Sequence, residues 1–121
     1  MNCELIEAAA STRDGVVPFS SGGFTLSRIE AGGEPVRAVD VLPRLRDFDL
    51  VKIDIEGSEW EILEDARFAP AGPPALVVEY HTHCAPADAD AERVLECAGY
   101  SVERRLRFAE LHGLLWALRR Q

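Results

Sequence analysis

The stretch with the most reactive side chains is residues 52–60, Lys-Ile-Asp-Ile-Glu-Gly-Ser-Glu-Trp. It places three carboxylates, those of Asp54, Glu56 and Glu59, within six residues, and Gly57 lets the chain turn sharply among them. Three such groups cannot all be buried and ionised without partners, so they must be solvated, bonded to backbone N–H groups, or facing a cation. A simpler interpretation stays open, in which Glu56 and Glu59 only complement the positive N-terminal end of a helix.

A second group of polar side chains is Glu79-Tyr80-His81-Thr82-His83-Cys84, at the end of an apolar run. In an extended chain Glu79, His81 and His83 share one face. A neutral imidazole beside a carboxylate suits a general base or a metal ligand. The alternative is a strand that runs out into a polar loop, and Cys84 supports no site by itself.

Two apolar runs position these groups. Residues 50–55 and 75–80 are nearly unbroken and rich in Val and Ile, which is the pattern of strands covered on both faces. Residues 58–68 between them predict a helix, with Ser58 and Glu61 as a capping box. This succession predicts a βαβ unit and a parallel sheet. Ligands of such sheets bind outside the carboxyl ends of the strands, where both polar groups lie.

The other segments predict shorter elements. Before residue 50, the pattern predicts strands over residues 4–9, 16–19 and 36–39, an Asp14-Gly15 turn, a loop or irregular hairpin over residues 20–35, and a short helix through Leu45 capped by Asp40. After residue 80, it predicts a helix near residues 87–98 ending at Gly99, and two antiparallel strands over residues 100–108 and 111–118. The expected fold class is α/β, with one mixed sheet of parallel central strands and a C-terminal antiparallel hairpin.

Length and charge narrow the function classes. The 121 residues predict a single domain, 1–121, and the net charge of −8 makes nucleic acid and anionic membranes poor partners. Residues 1–66 carry all of this net charge, whereas the C-terminal arginines are expected to protect a sheet edge. Three cysteines without CxxC spacing favour a reducing, cytoplasmic setting, and no apolar run approaches the roughly eighteen residues of a membrane span. The paired glycines at residues 22–23 and 32–33 precede no suitable helix, so they indicate neither a P-loop nor a dinucleotide fingerprint.

Taken together, the motifs resemble the FkbM-type S-adenosylmethionine-dependent methyltransferases. KIDIEGSEWEIL is similar to the KIDVEG-x-E element of that family. ELIEAAASTRDGVVPF resembles its third strand, PVRAVDVL its next short strand and helix start, ALVVEYH its strand ending in Glu-x-His, and GYSVERR with GLLWALR its closing pair. The similarity runs over essentially the whole chain. The family's N-terminal glycine motif and its ribose-binding acidic residue have no counterpart, so the chain is expected to be the C-terminal portion of such a domain.

The resemblance implies a partial Rossmann-like methyltransferase fold. In the family the first two strands lie between the third and the fourth, so their loss leaves a gap of about 14 Å, three strand spacings, between residues 4–9 and 50–55. Hydrogen bonds cannot cross such a gap. We therefore expect that residues 1–45 repack, that a partner supplies the missing strands, or that the sequence is an excerpt of a longer product. A buried strand left at a sheet edge also favours self-association.

The resemblance also implies a function and its residues. The cofactor would be S-adenosylmethionine and the methyl acceptor a hydroxyl group of a small molecule or a sugar. His81 would be the base and Glu79 its orienting partner, and Asp54 and Glu56 would line the crevice for cofactor and acceptor, directly or through a cation. Glu7, Ala8 and Ala9 would lie near the adenine. Two alternatives remain: a non-catalytic remnant or interaction module, and a metal-dependent hydrolase that uses Asp54, Glu56 and His81.

Overall fold

The computed structural model describes residues 3–21, 27–85, 90–108 and 112–121, which form two four-stranded sheets with short helices. The first sheet contains strands β1 (Ala9–Ser11), β2 (Gly15–Ser21), β3 (Ser27–Ile29) and β4 (Glu34–Asp40), in the order β1-β4-β2-β3. Strand β1 pairs with β4 in parallel, whereas β4 with β2 and β2 with β3 are antiparallel.

The second sheet contains strands β5 (Leu50–Ile53), β6 (Ala75–His81), β7 (Tyr100–Phe108) and β8 (His112–Arg119), in the order β5-β6-β8-β7. Strands β5 and β6 are parallel, and β8 is antiparallel to both β6 and β7. The βαβ unit and the closing hairpin are thus confirmed, and the arginine-rich β7 forms one sheet edge as predicted. The expected single mixed sheet is divided into two, because β1 pairs with β4 in a sheet of its own. The parallel pairing is confirmed in part, since each sheet holds one parallel pair.

The N-terminal strand is shorter than predicted. Residues 4–9 were expected to be extended, yet β1 begins only at Ala9. The amide of Ala8 donates to the carbonyl of Ile6 at 2.9 Å, and this local turn interrupts the chain before it can pair with β4. Among the described residues no ladder joins β1 to β5, in keeping with the gap inferred from the family's strand order.

The helical segment after β5 is divided. Helix α1 spans Glu59–Glu64 and helix α2 spans Phe68–Ala71, with Asp65 extended between them. The Asp65 carboxylate accepts the backbone N–H of Arg67 at 2.9 Å, which replaces the helical hydrogen-bond pattern at this point. The predicted capping box is also wrong, because the Ser58 side chain makes no cap hydrogen bond.

The two other helices begin differently. A 3₁₀-helix spans Leu42–Asp47 with Val41 at its N-cap and no side-chain cap hydrogen bond, so Asp40 is not the cap as predicted. Asp40 lies one residue earlier and accepts the N–H of Leu42 at 3.1 Å. Helix α3 spans Ala91–Cys97, where the Asp90 side chain accepts the N–H of Arg93 at 3.2 Å. Gly99, at φ 91°, ends it. The predicted start of this helix, near residue 87, lies outside the described residues.

One face of the second sheet carries the core. Leu76, Val78, Leu115 and Ala117 are buried there, and they belong to one hydrophobic cluster with residues of α1, α2 and α3. The opposite face is bare over much of its width: Leu50 is 59%, Trp116 39% and Leu118 51% exposed. The expectation that residues 50–55 are covered on both faces is therefore wrong.

Arg67 links the two halves of the chain. Its guanidinium donates to the Asp40 carboxylate at 2.6 Å, to the carbonyl of Thr12 at 2.7 Å, and to Asp65 at 2.8 Å. The Thr12 hydroxyl in turn donates to Glu61 at 3.0 Å. The first sheet is thereby held beside the end of β5, where the polar residues lie.

Candidate functional site

The turn after β5 has an unusual backbone. Glu56 adopts φ 51°, the left-handed region, and among the described residues it is the only non-glycine to do so. Gly57 follows at φ 108°, a conformation that glycine adopts without cost. Two successive residues of positive φ turn the strand end into α1. The turn brings the Glu56 carboxylate to 3.3 Å from Nε2 of His81.

His81, the last residue of β6, is held from three directions. Its backbone N–H donates to Oε1 of Glu59 at 2.6 Å, and its ring Nδ1 lies 3.0 Å from the same oxygen. Its carbonyl accepts the indole N–H of Trp60 at 2.9 Å. The residue is only 6% exposed, so the first turn of α1 fixes both its backbone and its ring.

Glu59 is fully buried, at 0% exposure. Besides its bonds to His81, its Oε2 accepts the N–H of Gly57 at 2.7 Å. The interpretation that Glu59 only complements a helix end missed this contact, because Glu59 and His81 are 22 residues apart. A cue was available in the two strand ends, which a parallel pairing of residues 50–55 with 75–80 brings together.

Glu79 does not orient His81 as expected. Its carboxylate lies 3.9 Å from Nε2 of His112, whereas Glu59 occupies the Nδ1 side of the His81 ring. His83 was expected on the same face, and its exposed ring meets that of His81 edge-on at 5.9 Å. The side chain of Cys84 lies outside the described residues.

His112 was not singled out from the sequence. It pairs with His81 across the β6–β8 ladder, and their rings stack at 5.9 Å with an interplanar angle of 18°. The hairpin of β7 and β8 was predicted, but the two histidines face each other through the register of β8 on β6. These two strands are separated by α3 and β7, so no short turn fixes that register.

Asp54 completes the group at the strand ends. Its carboxylate accepts the ammonium of Lys52 at 2.7 Å, and this hydrogen bond raises the pKa of Lys52. Ligand atoms of Asp54, Glu56 and His81 lie within 4.8 Å of one another. Two carboxylates and one imidazole form a donor set that suits a divalent metal ion.

A crevice of about 220 Å³ opens beside these carboxylates. Its lining includes Ala8 and Ala9 from the N-terminal segment together with Asp54, Glu56 and Ser58 from the turn after β5. Residues expected near the cofactor from two distant parts of the chain therefore meet. Glu7 lines an adjoining recess of about 320 Å³, which it shares with Ala8 and Ala9.

The family model of the methyltransferase FkbM domain matches residues 5–102, most of the chain. The chain belongs to the FkbM methyltransferase family. A search of the curated proteins found no match, and neither did a search of the solved structures.

The family match covers most of the site. The matched residues include the turn after β5, the end of β6 and the residues that line the crevice. The match ends at residue 102, so His112 on β8 lies beyond it. Methyltransferases of this family generally use S-adenosylmethionine. None of the helices in the described ranges is long and apolar enough to span a membrane.

A larger cavity of about 550 Å³ adjoins the same strand ends of the FkbM domain. Tyr80, Thr82 and His112 line it close to His81, and Asp90 and Arg107 line it further away. It lies within the roughly 300–1,000 Å³ range of small-molecule sites. Tyr80 and Thr82, on either side of His81 in the chain, line the wider cavity, whereas Glu56, which contacts His81, lines the small crevice.

Proposed function

We propose that this FkbM domain transfers a methyl group from S-adenosylmethionine to a hydroxyl group of a small molecule or a sugar. The observation that carries the proposal is the convergence of Asp54, Glu56 and His81 at two neighbouring strand ends, beside the crevice that Ala8 and Ala9 line. In open α/β sheets ligands bind outside the carboxyl ends of the strands, where these three residues lie.

The crevice is suited to part of the cofactor. Its volume of about 220 Å³ is below the range of complete small-molecule sites, so it fits a flat heterocycle rather than the whole molecule. The short side chains of Ala8 and Ala9 leave room for that ring, and Glu7 borders it. S-adenosylmethionine supplies an electrophilic methyl group on a positively charged sulfur. The negative charges of Asp54 and Glu56 favour a cation beside them.

His81 is the proposed proton acceptor. Methyl transfer requires the acceptor oxygen to face the methyl carbon and to lose its proton, so the protein mainly aligns groups and supplies a base. His81 is buried, held on both sides, and adjacent to residues that line the larger cavity, which we assign to the acceptor. Glu79 contacts His112, which stacks on His81, so an influence of Glu79 on the base passes through His112.

Cofactor binding is tested by backbone amide shifts in the full chain during titration with S-adenosylmethionine to millimolar concentration. We expect weak binding, because the crevice holds only part of the molecule, with shifts at residues 8–10 and 54–58. Shifts confined to other residues would place the cofactor elsewhere. Saturable binding with a dissociation constant below the micromolar range would contradict the proposal that the crevice holds only part of the cofactor. No shifts at all would favour the non-catalytic interaction module.

The base is tested by comparing His81→Ala with His83→Ala, its exposed neighbour, for methyl transfer to a panel of hydroxyl acceptors. We expect turnover of His81→Ala to fall about 10²- to 10⁴-fold, the usual contribution of a positioned acid–base group. Cofactor affinity should change little, and His83→Ala should resemble the unmodified chain. Equal turnover in all three proteins excludes His81 from the chemistry. Stoichiometric bound metal with ester hydrolysis would favour the metal-dependent hydrolase.

A further inference from the structure

Both carboxylate oxygens of Glu59 accept hydrogen bonds from backbone N–H groups. Oε2 accepts the N–H of Gly57, and Oε1 accepts the backbone N–H of His81. The third group against this carboxylate is Nδ1 of His81, at 3.0 Å from Oε1. An ionised carboxylate only accepts hydrogen bonds, so with Glu59 ionised the imidazole nitrogen that faces it is the donor.

We propose that Glu59 is a positioning residue that fixes the proton of neutral His81 on Nδ1 and so assigns the role of base to Nε2. The claim about the base rests on the proposed function, whereas the claim about the tautomer rests on the contacts of Glu59 alone. The ring is buried and its backbone N–H is held by the same oxygen, so the ring cannot turn without breaking the contact.

In this tautomer Nε2 is an acceptor that faces a second acceptor, and the contact becomes favourable only when Nε2 takes up a proton. This nitrogen faces the Glu56 carboxylate at 3.3 Å, and Asp54 lies in the same group of side chains. When Nε2 takes the acceptor's proton, the O–H bond breaks and an N–H bond forms. The acceptor oxygen bonds to the methyl carbon, and the electrons of the broken C–S bond stay on the sulfur. The resulting imidazolium then lies between Glu56 and Glu59, which stabilise its positive charge.

A carboxylate is the group that these contacts require. Glutamine at position 59 offers one acceptor oxygen and one amide group that only donates. If its oxygen faces Gly57, its amide group faces His81 and favours a bare Nδ1. If its oxygen faces His81, its amide group meets the Gly57 N–H. Either arrangement loses a hydrogen bond, and the first one inverts the tautomer.

The experiment is nitrogen-15 NMR of the histidine rings in the full chain, recorded at alkaline pH. It requires neither cofactor nor methyl transfer, so its result is independent of the proposed activity. For the unmodified chain we expect His81 to show a protonated Nδ1 and a bare Nε2. For Glu59→Gln we expect a population with the proton on Nε2. Glu61→Gln, on the same helix, is the matched control and should leave the spectrum of His81 unchanged.

Two outcomes overturn the proposal. One is a bare Nδ1 on His81 in the unmodified chain, a result that stands even if Glu59→Gln fails to fold. The other is a folded Glu59→Gln protein whose His81 tautomer equals that of the unmodified chain. In that case Glu59 contributes to the structure of the strand end but does not set the proton on the ring.

Discussion

The two faces of the second sheet differ more than their sequences do. On one face Leu76 and Leu115 are 1% and 3% exposed beneath the helices. On the other face Leu50 and Leu118, also leucines, are more than half exposed. The strand pattern of a doubly covered sheet is thus present, but the described residues cover only one side. A strand sequence therefore reflects the environment for which it is suited, and the described part of this chain supplies that environment on one face.

The largest expected difference in the free energy of unfolding lies between alanine variants of two leucines on opposite faces of neighbouring strands. Leu76→Ala should lower the free energy of unfolding by about 2–5 kcal/mol, because it leaves a cavity in a packed core. Leu118→Ala should lower it by less than about 1 kcal/mol, since that side chain is half in water. Urea denaturation followed by circular dichroism compares the two. Equal losses would show that the second face is covered in solution.

The bare face also predicts association, which we propose occurs with a second copy of this chain. The exposed apolar residues favour contact with another molecule, and so does the edge of β5 that pairs with no other strand of the described ranges. The double variant Leu118→Lys, Leu50→Lys should raise the dissociation constant of the dimer by about tenfold. Size-exclusion chromatography with light scattering would then show a mass closer to that of the monomer. Arg104→Lys is not a suitable control, because its guanidinium packs on Trp116. Glu103→Gln on edge strand β7 is exposed and serves instead.

Binding of a fragment that carries additional strands to this face would show that a different partner covers it. A protein that stays monomeric at high concentration without any substitution would contradict self-association. In such a monomer the exposed leucines would remain in contact with water.

A smaller effect is expected from a polar group in the covered layer. The Tyr100 hydroxyl is buried and donates to the carbonyl of Pro73 at 2.7 Å, and burial raises the pKa of Tyr100. Tyr100→Phe should cost about 1–2 kcal/mol, because the Pro73 carbonyl loses its partner. Trp116→Phe on the bare face should cost less, and thermal denaturation of both variants measures the contrast. The reverse order would show that the bare face carries more of the stability.

The smallest effect concerns pH and the link between the sheets. Hydrogen bonds from Arg67 hold the pKa of Asp65 below its ordinary value. The stabilisation is therefore present above the unfolded pKa and is lost as the pH falls through the lower pKa of the folded state. Asp65→Asn should flatten the dependence of stability on pH between about pH 5 and 2, by a modest amount because the pair is exposed. An unchanged pH dependence would show that the pair contributes nothing measurable.

Much of the second sheet was accessible from the sequence for a physical reason. Residues 50–55, 75–80, 100–108 and 111–118 have strong local patterns, and short connections leave few ways to pair them. Parallel pairing of the first two predicts that Asp54 and His81 meet at one edge. The convergence of the site was therefore predictable from patterns within a few residues of each catalytic candidate.

The contacts that were missed depend on distance and register. The pairing of Glu59 with His81 depends on where α1 begins, and the Ser58 capping box pointed to a different first turn. The stacking of His112 on His81 depends on the register of β8 on β6. The split into two sheets depends on which strand is available to pair with β1. None of these is encoded in local periodicity, since each is decided by competing long-range partners.

The backbone of Glu56 has a consequence for how this turn can change. A left-handed conformation costs a residue with a side chain about 1–2 kcal/mol, a cost that glycine avoids. Screening variants for thermal stability alone would therefore be expected to enrich glycine at position 56. Such a variant would be more robust and would lack the carboxylate beside His81. At this position the chain gives up resistance to heat in order to keep an acidic group, so stability and chemistry place opposite demands on a single residue.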